Sequence, residues 1–239
     1  MNTSGLIDNR NRDLWESLKN IYEIDIQFQN RVDYLVFSQS NKAIIYVPKN
    51  KIDPAAFTHE LLHIYLRTKK VFISSGLVLS IKGYPQLSRI FSDKLLEHIG
   101  NCLDHVKMLP EYLRLGFERE DFLSDYSTHK FSKEERKIIK QNYAGSSVLG
   151  KIYNSSAIDL YIGKFFAVKS CPNNTRNYTN ELKELETLDS SLYQILDKFF
   201  IAWTEFDYNN DDPIFGGYHS MLFDFTDELD NWATGKKII

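Results

Sequence analysis

An α+β fold, with a small N-terminal sheet and a mainly helical C-terminal part, follows from three observations. Ile24, Ile26 and Phe28 alternate with polar residues; the apolar runs VDYLVF and KAIIYVP flank the turn-forming SQSNK; and beyond residue 54 the apolar residues recur at helical spacing. Residues 12–21, RDLWESLKNI, carry Leu14, Leu18 and Ile21 on one face and predict a first helix. YEIDIQFQ, VDYLVF and KAIIYVP then read as strands of a small antiparallel or mixed sheet. Pro48 and Pro54 bracket a loop, and Pro54 suits the first turn of the helix AAFTHELLHIYL. Residues 71–81, VFISSGLVLSI, fit a short helix or a buried strand equally well. GYPQ marks a turn, and residues 87–109 read as one long helix that Pro110 stops or bends.

Helices and polar loops alternate from there on. Ser132 with Glu135 three residues later forms a capping-box pattern. SSAIDLYIGKFFAV and LYQILDKFFIAW read as helices, with SCPNNTRNYTN as a loop between them. The expected organisation is residues 1–130 as the domain bearing the motif discussed below, and 131–239 as a helical extension. No stretch rich in Pro, Gly and Ser separates the two.

Composition narrows the function. A net charge of -3 gives no general reason to expect nucleic-acid binding. The aromatic run LYQILDKFFIAWTEF would need interleaved cations to serve as a stacking surface, and only Lys198 is present, so it reads as core. Cys102 and Cys171 are isolated and match neither a disulfide framework nor a metal knuckle, which points to a reducing, cytoplasmic setting. The first residues carry charges where a secretory leader needs apolar ones, and no apolar run is long enough for a membrane span.

The informative stretch is FTHELLHIYL, residues 57–66. On a helix His59 and His63 project from nearly the same face, so their imidazoles can converge on one ion. Glu60 stands beside the first of them, placed to accept a proton from an activated water without itself taking a coordination position. Chance supplies this five-residue pattern in about one chain in a hundred of such composition. A buried helix whose histidines merely bond backbone or carboxylate groups would carry the same letters. The apolar face of Phe57, Leu61, Leu62 and Leu66, and the helix entry just upstream, favour the metal reading, with Zn2+ as the ion.

A zinc centre of this type needs a third protein ligand. The long helix offers Glu97, with Asn101 one turn on to hold a ligand histidine by its second nitrogen and Gly100 to let two helices approach. His105 is the rival, eight positions after Glu97 and about 80° around the helix. Asp104 lies nearer Glu97's face, and Glu111, Asp125 and His219 are remote alternatives. His98 falls on the outside of the helix and reads as structural.

HELLH, then E-x-x-G-N at Glu97–Asn101 and a run ending in Met108-Leu109-Pro110, resembles the ImmA/IrrE-type zinc metallopeptidases over roughly residues 30–112. The resemblance implies a zincin-like core in which His59, His63 and Glu97 hold zinc and Glu60 is the general base. It places Asn101 in the orienting position, and KAIIYVPKN as the edge strand beside the substrate cleft. Leu103-Asp104 departs from the family's Phe-Ala, and no helix-turn-helix module accompanies the motif.

The expected activity is a zinc-dependent hydrolase, a metalloendopeptidase cleaving a specific protein or peptide that pairs with residues 43–47. Tyr65, Tyr84 and Tyr126 are candidates for a donor to the oxyanion. A non-enzymatic, zincin-like interaction or regulatory module is the competing reading. The oxygen-rich DYNNDDPIFGGYH, residues 207–219, lacks the spacing of a calcium loop and reads as an ordinary turn.

Overall fold

The computed structural model describes residues 5–148, 150–209 and 217–239. In chain order it contains α1 (Arg12–Lys19), β1 (Glu23–Gln29), β2 (Leu35–Gln39), β3 (Lys42–Pro48) and α2 (Pro54–Thr68). There follow α3 (Ile73–Lys82), α4 (Leu87–Ile90), α5 (Asp93–Arg114), α6 (Lys133–Asn142), β4 (Ala144–Ser147) and β5 (Gly150–Tyr153). The last elements are α7 (Ser155–Lys169), α8 (Thr179–Leu188), α9 (Ser190–Glu205), α10 (Tyr218–Ala233) and β6 (Lys237–Ile238). The fold is α+β as expected, a small sheet first and mostly helices after it.

The chain forms two compact units, Met1–Val71 with Val106–Ser127, and Phe72–His105 with Thr128–Ile239. The junction at residues 127–128 lies near the expected boundary at 130, but residues 72–105 group with the later helices. Both units draw on α5, which runs unbroken through the junction between His105 and Val106.

In the first unit β1 pairs parallel with β3, and β2 pairs antiparallel with it, giving the order β1-β3-β2. The central position of β3 corrects the expectation that residues 43–47 form an edge. Their backbone is engaged by a neighbour on each side, so no incoming strand can pair there. Ala43, Ile45 and Val47 face a core shared with Trp15, Leu18, Phe57, Leu61 and Ile64. α2 starts sharply because Asp53 accepts from the N–H groups of Ala55 and Ala56 at 3.0 and 3.3 Å, with Pro54 behind it. Tyr34 ties this cap to the chain beside the sheet, donating to Lys51 O at 2.7 Å and accepting from Asp53 N at 2.9 Å. Fully buried Asn11 donates to Leu6 O at 2.8 Å and to Thr58 Oγ1 at 2.9 Å, pinning the helix one residue before the motif.

In the second unit the ambiguous stretch 71–81 resolves as helix α3. The predicted long helix is interrupted at Phe91-Ser92, where the Ser92 hydroxyl accepts from Leu95 N at 3.1 Å and starts α5 afresh. Pro110 does not stop α5, which continues to Arg114. Gly100 does permit a close helix approach, but to α3. An added Cβ would meet Ser74 Oγ at 2.0 Å and Ser74 Cα at 2.9 Å. The capping box of Ser132 and Glu135 is formed. Phe199, Phe200 and Trp203 are buried, as the core reading of that aromatic run requires. The small sheet β4-β5-β6 and helix α8 carry too little periodicity to have been anticipated.

Candidate metal centre

Helix periodicity puts the two motif histidines on successive turns of α2, their ring centroids 5.1 Å apart at an interplanar angle of 68°. His105 of α5 joins them. Each of the three offers one ligand atom, and these atoms all lie within 4.8 Å of one another. His105 is bonded through the chain to Val106 of the first unit within one continuous helix. The donor set fits a metal. Three imidazoles suit zinc, copper, iron or nickel, and the trio can hold such an ion.

Protonation favours that role. Burial, then the neighbouring His63, push the His59 imidazole down to about 3, which leaves it neutral. A hydrogen bond from the ring to the backbone of Phe122 acts in the opposite sense. It also orients the ring, as a partner on a ligand histidine does. The Phe122 ring packs against the His59 ring at 4.8 Å, and Tyr112 meets Phe122 edge-on at 5.0 Å. Tyr112 lies seven residues after His105, hence on the same face of α5. Its phenol is fully buried and its hydroxyl has no hydrogen-bond partner among the described residues.

Glu60 is 8% exposed. Burial raises its carboxyl above the usual range, against the lowering effects of His63, of a hydrogen bond from the Val36 backbone and of Arg31. A buried carboxyl whose pKa moves up towards neutrality, one residue from a candidate ligand, is what a general base requires.

No protein-family model, curated protein or solved structure matches this chain.

The remaining expected residues lie elsewhere. Glu97 and Asn101 are exposed on α5, and neither belongs to the group of converging ligand atoms. The third residue of that group is His105 and not the expected Glu97, from which it is separated by about 12 Å of helix rise. His98 binds Gly163 O through Nε2 at 3.1 Å, a structural contact as expected. Tyr65 is two residues from His63, about 200° around α2, and packs against the sheet-side core. It therefore turns away from the metal face. Tyr84 belongs to the second unit, and Tyr126 is half-buried in the first. Glu111 pairs with Arg114 at 2.6 Å. His219 is exposed against Tyr218, and residues 210–216 of the oxygen-rich loop lie outside the described residues. Val36, Phe122 and Tyr112 were not signalled by any motif. Only the seven-residue spacing from His105 to Tyr112 offered a hint.

Proposed function

We propose that this protein is a metal-dependent hydrolase, a zinc endopeptidase acting on a protein or peptide. The observation that carries the reading is the juxtaposition of buried Glu60 with a histidine trio, two members of which, His59 and His63, share its helix. An ion held by His59, His63 and His105 would supply Lewis acidity, lowering the pKa of a water and polarising a carbonyl. Glu60 would accept the proton released by that water and pass it to the departing amine. Desolvation of the buried side chain raises the carboxyl pKa, the direction that strengthens a carboxylate as a base. Phe122 would hold the His59 ring in register for its ligand nitrogen. The resemblance of HELLH to the ImmA/IrrE-type metallopeptidases points the same way, although the Glu97–Asn101 half of that resemblance is exposed.

One observation favours the competing reading, a zincin-like interaction module without catalysis. The Glu60 carboxylate already has a backbone donor in Val36. Glu60→Gln separates the two. We expect zinc content by atomic absorption to be unchanged, and cleavage of casein or a fluorogenic peptide to fall by about 10²–10⁴-fold. Hydrolysis that survives this substitution would remove the assigned role.

A further inference from the structure

Within the second unit, α6, α8 and Phe131 just ahead of α6 line a cavity of about 230 Å³. None of its lining residues belongs to the histidine trio. Its apolar wall is Phe131, Ile139, Leu185 and Leu188, the first three of them buried. A hollow between helices is ordinarily filled, because its lining forgoes the contacts that packed side chains would supply. The rest of the lining is mostly cationic. Arg136, Lys140 and Lys183 share it with one carboxylate, Glu184. Lys183 is answered by Glu186 at 2.9 Å, whereas Lys140 has no ion pair among the described residues. Arg136 decides the chemistry. Its Nη1 donates to Glu184 at 2.9 Å, and Glu181 lies 3.8 Å from that same nitrogen. Its Nε is buried and has no acceptor among the described residues. Nε and Nη2 form the side edge of the guanidinium, whose two parallel N–H groups match the two oxygens of a carboxylate. Leaving a buried N–H unpaired is costly, so an acceptor from outside the chain is called for.

We propose that this cavity binds a small carboxylate with a compact apolar tail. The tail fills the hollow against Phe131, Ile139, Leu185 and Leu188. The carboxylate accepts from the side edge of Arg136, and Lys140 balances its charge at the mouth. Size limits the class: the cavity lies below the roughly 300–1,000 Å³ of pockets that take drug-sized ligands. Charge fixes its sign, because the lining's one acid already faces Arg136 through Nη1 and the donors left over are cationic. Binding changes no covalent bond, and the site stands whether or not the histidine trio holds a metal.

The test titrates sodium hexanoate at neutral pH into the ¹⁵N-labelled full chain. Saturable shifts are expected at the Arg136 Nε–H and at the amides of Ile139 and Leu185, with a Kd of about 1 mM or tighter. Hexylamine has the same chain and the opposite charge; acetate has the same head and no chain. Each should bind at least about tenfold more weakly. Arg136→Lys keeps the charge but loses the planar fork, and should raise the Kd about tenfold. Because Arg136 also joins α6 to α8, a second variant guards against a folding defect. Lys140→Ala removes an exposed cation without an ion pair; it should raise the Kd about two- to fivefold and leave the urea midpoint unchanged. A Kd unmoved by Lys140→Ala overturns the proposal. So does hexylamine binding as tightly as hexanoate, which would make the hollow a merely apolar one. Hexanoate that leaves the Arg136 Nε–H in place, or shifts that never saturate, would assign that donor to water and equally overturn it. Hexyl phosphate binding about tenfold tighter than hexanoate would replace the carboxylate with a phosphate-headed ligand.

Discussion

His59 and Glu60 are adjacent, and burial moves their protons in opposite directions. His59 falls from 6.5 to about 3, so between those values the unfolded chain binds a proton that the native one refuses. Its contribution to stability is therefore lost as pH drops from about 6.5 towards 3. Glu60 is raised above 4.5, so its contribution is complete below 4.5 and declines as pH rises through the native value. In urea titrations with a chelator present, the wild type should lose stability on acidification more steeply than His59→Asn, by about 1 kcal/mol per pH unit below 6.5. Equal slopes would mean that His59 is not held neutral. Ligand identity is tested by competition for zinc with a chromophoric chelator. His105→Ala should weaken binding by more than the roughly 10–100-fold that loss of a supporting hydrogen bond costs, whereas Glu97→Ala should leave it unchanged. The histidine pair was legible in the sequence because it needs only the period of one helix. The third member of the histidine group was not, because choosing between Glu97 and His105 depends on the rotation of α5 about its own axis, which the close packing of Gly100 on Ser74 constrains.

Among the elements, α5 is the most constrained. Gly100 abuts Ser74 of α3 so closely that Gly100→Ala must push backbone away, at a cost of about 1–3 kcal/mol in chemical denaturation. Ser74→Gly in the same chain should recover only part of it, because the Ser74 Cα itself lies 2.9 Å from where the new methyl carbon would sit. The end of α6 and helices α9 and α10 meet at Asp189. It caps α9 by accepting from Leu192 N at 2.9 Å, and it accepts from Tyr143 Oη at 2.8 Å and from Trp232 Nε1 at 3.1 Å. Asp189→Ala should cost about 3 kcal/mol, more than the roughly 1 kcal/mol of an ordinary cap. A cost near the latter value would show that the two side-chain bonds contribute little. Strand existence was readable from alternation along β1 and β3, but strand order was not. Alternation says which face is wet and is silent on which neighbours sit to either side, so β3 was mistaken for an edge.

At the scale of the whole chain, neither unit is a continuous piece of sequence. Residues 72–105 bring Leu77, Ile81, Leu95 and Leu96 to the second unit, where α3 packs against α10 with Gly76 admitting Leu222. A fragment ending at residue 130 would strand those side chains in water. It should be poorly soluble and melt without a cooperative transition by circular dichroism, whereas the full chain should show one. A cooperative fragment would establish the boundary at 130 as a true domain edge. The position of His105 on α5 has a separate bearing on chain entropy. An ion bound to His63 and His105 fastens the two ends of a segment of roughly forty residues, and closing a loop of that length costs an unlinked chain about 3 kcal/mol. Metal uptake should thus behave as a reversible staple, raising the melting temperature with the concentration of free ion and vanishing with chelation.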